Sequence, residues 1–83
     1  MPFFEPLNSD RFAPNEVAKE DLLAIKAILT ENNILGEVVW IYVSRFDSSI
    51  NAIVRQKDDL GRSTFATVFI KPKAIAEKKN SQA

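Results

Sequence analysis

The sequence predicts an α+β domain: one amphipathic helix packed on a three-stranded antiparallel β-meander, order α-β-β-β, behind an extended N-terminal arm. Apolar residues recur at helical spacing between Asn15 and Asn33. Segments rich in β-branched and aromatic residues follow between Glu37 and Lys71. Turn-forming residues separate each element from the next. A chain of 83 residues has room for one domain. It divides into an arm over 1–14, a folded core over 15–71, and a C-terminal turn with a frayed tail over 72–83.

The arm holds Pro2, Pro6 and Pro14 among Phe3, Phe4, Leu7 and Phe12. Proline fixes its own φ and biases its predecessor toward extended backbone, while the apolar side chains suit packing onto the domain. In the helix, Ala18, Leu22, Ile25 and Leu29 form an apolar stripe flanked by Val17 and Ile28. Asn15 is the expected N-cap, with Glu16, Glu20 and Asp21 at the positive end of the helix dipole. Asn32, Asn33 and Gly36 accept the left-handed turn that ends a helix.

The strands are expected over Glu37–Phe46, Ile50–Lys57 and Arg62–Lys71. Asp47-Ser48-Ser49 forms the first turn. Asp58-Asp59-Leu60-Gly61 forms the second, with Gly61 in the left-handed position. Pro72 stops the third strand, and Ala74 to Lys79 supply one helical turn.

Successive strand residues face opposite sides of a sheet, so the register sorts them into two sets. A three-residue first turn sets Phe46 opposite Ile50. A four-residue second turn sets Lys57 opposite Arg62. One face then carries Val38, Trp40, Tyr42, Phe46, Ile50, Ala52, Val54, Phe65, Thr67 and Phe69, and is expected to meet the helix. The other carries Val39, Ile41, Val43, Arg45, Asn51, Ile53, Arg55, Thr64, Ala66, Val68 and Ile70. A second aliphatic face on one sheet needs a cover, because a monomer seldom exposes so large an apolar patch. The arm, a second copy and a different protein are the three candidates. The interface is accordingly expected at Val39, Ile41, Val43, Ile53, Val68 and Ile70, rimmed by Arg45 and Arg55.

Composition narrows the function. The chain has no Cys and no His, which removes disulfides, the usual zinc sites, and the Ser-His-Asp and Cys-His arrangements. Its two glycines each serve a turn, leaving no glycine-rich phosphate loop. Glu20-Asp21 and Asp58-Asp59 are neighbours explained by helix dipole and turn chemistry, not convergent ligands. Tyr42 beside arginines is compatible with His-free RNA cleavage, but its strand position reads as a core aromatic with its hydroxyl at the boundary. The expectation is no enzyme, no cofactor and no metal.

Eleven basic residues balance eleven acidic ones. The halves differ: seven acidic and three basic residues up to Glu37, four acidic and eight basic from Val38 onward. The basic half supports an alternative, a nucleic-acid-binding protein using Arg45, Arg55, Arg62, Lys71 and Lys73. Aromatics on an open sheet beside such residues would form a single-strand platform, but this register puts them under the helix. A slip of one residue would restore the platform. A helix followed by three strands is similar to double-stranded-RNA-binding domains in element order alone. The lysine cluster that opens their last helix is not matched by Lys71-Pro72-Lys73-Ala74.

No basic region with an apolar signal-peptide core opens the sequence, and the longest apolar run, Val38 to Val43, is too short to span a bilayer. A cytoplasmic location with no membrane partner is expected. The sequence thus leads to a non-enzymatic protein-binding module, acting as a homodimer or as a small subunit or inhibitor of a larger protein.

Overall fold

The computed structural model of the chain describes residues 9–81. Its elements are β1 (Ser9–Phe12), a short 3₁₀ turn (Pro14–Glu16), α1 (Lys19–Glu31), β2 (Glu37–Ser44), β3 (Ile50–Lys57), β4 (Ser63–Ile70) and α2 (Pro72–Ser81). The strands form one antiparallel sheet in the order β1-β2-β3-β4. The fold class is the expected α+β, with four strands where three are expected and a second full helix.

The additional strand, β1, lies within the segment expected as an extended arm. Ser9 to Phe12 pair with Ser44 to Ile41. The expected apolar anchors Phe3, Phe4 and Leu7 lie outside the described residues, as do the last two residues of the tail.

Helix α1 begins later than Asn15. Glu16 Oε1 accepts the Ala13 N–H at 2.8 Å, and the Glu16 N–H reaches the Ala13 carbonyl at 2.9 Å. This local turn leaves Val17 extended, so the α-helical ladder opens only with the Leu22 N–H bonding to the Ala18 carbonyl. The other end follows expectation. Asn33 takes the left-handed conformation at φ 58°. The Ile34 N–H bonds to the Leu29 carbonyl and the Asn33 N–H to that of Thr30, the double closure of a Schellman motif. Leu29 and Ile34 both pack into the core, which supplies the apolar contact of that motif.

Helix α2 replaces the single expected turn. Pro72 stops β4 and also starts the helix, because its fixed φ suits the first helical position and its missing N–H has no partner to lose there. Ile75 enters the core. Lys79 reaches Asp21 at 2.8 Å, and Lys78 pairs with Glu31, so both ends of α1 are tied to α2.

The hairpins overturn the expected register. In the first, the Ser44 N–H bonds to the Ser49 carbonyl at 2.9 Å, enclosing a four-residue loop, Arg45 to Ser48. Asp47 Oδ1 accepts both the N–H and the hydroxyl of Ser49, and Ser48 sits at φ 63°. In the second, the Asp58 N–H bonds to the Arg62 carbonyl, enclosing a three-residue loop, Asp59 to Gly61, with Gly61 at φ 78°. Val43 therefore faces Ile50, and Lys57 faces Ser63. Ile50 thus meets Val43 in place of Phe46, a shift of three residues, and Lys57 meets Ser63 in place of Arg62, a shift of one; any odd shift moves a strand's side chains to the other face.

Both helices pack on one face of the sheet. The core joins Ala24, Ile25 and Leu29 of α1 and Ile75 of α2 to Val38, Ile41, Ile50, Ala52, Val54 and Ile70, with Val43 and Val68 packed against it. Each fully buried aliphatic side chain here contributes roughly 1.5–3 kcal/mol by leaving water. The other face carries Trp40, Tyr42, Asn51, Ile53, Arg55, Phe65, Thr67 and Phe69, and among the described residues no helix lies across it.

Candidate functional site: the open sheet face

The open face is built by alternation along three strands. Trp40 pairs with Ile53 and Ile53 with Thr67, while Arg55 pairs with Phe65 and Asn51 with Phe69. A β-bulge between Val38 and Trp40 admits Val39 as an extra residue. Val38 thereby stays in the core while Trp40 points outward. Arg11 of β1 lies opposite Tyr42, and its guanidinium sits 4.4 Å from the centroid of the Trp40 ring. That is a cation–π contact on a ring already on the open side.

The middle of this face is dry and its β4 side is not. Tyr42 and Ile53 are 2% and 3% exposed. Phe65 and Phe69 are 64% and 57% exposed, and Trp40 is 38% exposed. Two exposed phenylalanines therefore stand on one edge strand, on either side of Thr67, and exposed aromatic side chains of this kind mark an interaction site.

Of the expected interface residues, Ile41, Val43, Val68 and Ile70 lie on the helix-covered face. Val39 is the half-buried bulge residue. Ile53 and Arg55 alone fall on the open face. Four of the expected surface aliphatics therefore belong to the helix-covered core, and of the expected core aromatics Trp40, Phe65 and Phe69 are exposed while Tyr42 stays buried. The physical reason is the pair of odd register shifts, three residues in the first hairpin and one in the second.

The basic residues are spread out. Arg45, in the first loop, bonds to Asp10 at 2.9 Å; Arg62, at the other end of β3, bonds to Asp58 at 2.9 Å. Arg55 bonds to Glu37 at 2.9 Å on the open face. Lys71 lies between β4 and α2, and Lys73 in the first turn of α2. The structure does not gather these five into one patch. The basic groups that belong to the open face are Arg11, Arg55 and Lys57, with Glu37 opposing them.

The acidic residues serve local structure. Hydrogen bonds from the backbone and hydroxyl of Ser49 hold the Asp47 carboxyl below its usual pKa. Hydrogen bonds from the Arg62 backbone, then its side chain, and from the Leu60 backbone do the same for Asp58. Among the described residues, no three acidic side chains converge on a point where a metal ion could bind. Among them also, no helix is long and apolar enough to cross a membrane.

Sequence reasoning did group Trp40, Tyr42, Phe65, Thr67 and Phe69 on one face, which the structure shows. It missed Arg11, whose position depends on β1. Fold and site together define an α+β domain with one helix-covered sheet face and one aromatic face across which, among the described residues, no helix lies. The chain matches no protein-family model, no curated protein and no solved structure.

Proposed function

We propose that the chain is a small non-enzymatic protein-binding module, working through the open sheet face as a homodimer or as a small subunit or inhibitor of a larger protein. The observation that carries this reading is the exposure of Phe65 and Phe69 beside Trp40, Arg11 and Arg55 on a single face. Aromatic residues and arginine are the types enriched at interfaces and at their energetic centres. The absence of His and Cys supports a binding role over a catalytic one. So does the engagement of Asp47 and Asp58 in their own turns.

The test is the mass in solution by sedimentation equilibrium, over a hundredfold concentration range, of the wild type and of a Phe65→Ser/Phe69→Ser double variant. Association by the wild type and its loss in a folded double variant support the reading. Unchanged association in the folded variant overturns it, as does a wild type that stays monomeric and retains no partner.

A second reading is favoured by the register, which places Trp40, Phe65 and Phe69 on one face with Arg11, Arg55 and Lys57. That combination suits a single-stranded nucleic acid. Arg11 already covers the Trp40 ring, Arg55 is paired with Glu37, and the chain's formal net charge is zero, so the protein-binding reading is preferred. Retention of an oligonucleotide at about 50 mM salt, weakening steeply as salt rises, would reverse that preference.

A further inference from the structure

The two edges of the sheet are unlike. β1 has four residues and carries Asp10 and Arg11, which discourage pairing with another strand. β4 has eight residues, Ser63–Ile70, with no charge, no proline and no glycine. No bulge interrupts its ladder with β3, and among the described residues no strand pairs with its outer side. A long, regular, uncharged edge is a template for another strand.

The direction of its free groups follows from the hairpin. The Asp58 N–H bonds to the Arg62 carbonyl at 3.0 Å, in step with the ladder that pairs Lys57 with Ser63. Hydrogen-bonded and non-hydrogen-bonded pairs alternate in an antiparallel ladder. The main-chain groups of Thr64, Ala66, Val68 and Ile70 therefore turn toward β3. Those of Ser63, Phe65, Thr67 and Phe69 turn outward, and the side chains of these four lie on the open face.

The sequence of this edge is self-complementary. Phe65-Ala66-Thr67-Val68-Phe69 has phenylalanine at both ends and a small aliphatic residue on each side of Thr67. We infer that β4 pairs antiparallel with β4 of a second copy about a two-fold axis at Thr67, giving a continuous eight-stranded sheet. Thr67 then faces its counterpart, Phe65 faces the second copy's Phe69, and Ala66 faces its Val68. The Thr67–Thr67 pair and the two symmetry-related Phe65–Phe69 pairs use the outward N–H and C=O groups identified above, while the main-chain groups of Ala66 and Val68 stay with β3. Aromatic cross-strand pairs stabilise such a ladder, and no like charges meet along it. The two-fold is normal to the sheet, so both helical layers fall on one side and the two open faces join on the other. This rests on the reading of the chain as a binding module and names a second copy as its partner.

Two single substitutions test it in the full chain. Thr67→Pro removes only an outward N–H, which an edge strand tolerates while its inner ladder is kept. Thr67→Cys introduces the chain's only thiol, at a point where paired Cα atoms stand about 5.5 Å apart, within disulfide reach. The expected results are a dimeric wild type and a monomeric Thr67→Pro chain with unchanged far-ultraviolet circular dichroism. Thr67→Cys should cross-link to a covalent dimer on mild oxidation. Phe65→Cys, whose counterpart lies roughly 13 Å away along the strand, should not. A wild type monomeric at every concentration overturns the inference. So does a dimer whose Thr67→Cys variant fails to cross-link, even if Thr67→Pro does not fold. Association that survives Thr67→Pro but is lost in Phe65→Ser/Phe69→Ser removes the edge pairing and leaves the open-face reading standing; association that survives both removes the two together.

Discussion

A β-carbon placed on Gly36 would stand 2.4 Å from the carbonyl oxygen of Arg55. It would also stand 2.7 Å from Cγ1 of Val54, and Gly36 itself sits at φ 147°, a conformation few side chains accept. The entry to β2 therefore runs against β3 with no room for a side chain. Gly36→Ala should cost about 1–3 kcal/mol, through backbone displacement and strain together. Urea unfolding followed by circular dichroism measures it, and a variant as stable as the wild type would show that the backbone yields freely.

Ile75 is the one buried side chain of α2. Ile75→Ala should lose about 2–5 kcal/mol if the helix is part of the cooperative unit. A thermal melt of this variant distinguishes that from a loosely docked segment, for which the midpoint would hardly move.

Asp47 and Asp58 predict an acid limb of stability. Both folded-state pKa values are depressed, so the stabilisation is complete above the ordinary carboxylate value of 3.8 and is lost as pH falls through the depressed values. The melting temperature should be flat between about pH 5 and 7 as far as these groups are concerned, and should fall below about pH 4. Asp58→Asn should flatten that limb. An unchanged slope in the variant would remove Asp58 as a contributor.

Lys79 gives the opposite sign. Its hydrogen bond and ion pair with Asp21 raise its pKa above 10.5. The stabilisation is complete below that value and is lost as pH rises through the raised one. Lys79→Met should therefore lose the alkaline part of the stability profile due to this group while leaving the acid limb as it was.

Arg11 and Trp40 predict a local effect. Removing a guanidinium from an exposed ring costs about 0.5–1 kcal/mol. Trp40 is the only tryptophan, so its fluorescence reports directly on the open face. Arg11→Ala should change the emission of the folded state, and an identical spectrum would mean that Arg11 does not reside on the ring.

The helical stripe was legible because Leu22, Ile25 and Leu29 follow the period of the element that carries them. The start of α1 was not, since the bond from Ala13 to Glu16 makes a local turn that competes with capping by Asn15. β1 has no pattern of its own; four residues become a strand through their pairing with β2. Register was the decisive gap. Asp58 belongs to the ladder and also closes the loop with its carboxylate, so sequence cannot say which side of the turn it ends. The two odd register shifts cancel in parity between β2 and β4. This is why the aromatics of those strands were grouped correctly while the β3 residues set against them were exchanged. Val38 kept the face it was expected to share with Val54 because the bulge adds one compensating residue.

That bulge bears on how the chain can change length. Val38 pairs with Val54 and Trp40 with Ile53, so the partners on β3 are already consecutive and only Val39 lacks one. Deletion in the middle of a strand ordinarily turns every later side chain to the wrong face. Here, loss of Val39 would leave an uninterrupted ladder with Val38 still inward and Trp40 still outward. The sheet thus has one internal position where a codon can be lost without reversing its two surfaces, and what disappears with it is the extra twist of β2 beneath the Arg11–Trp40 contact.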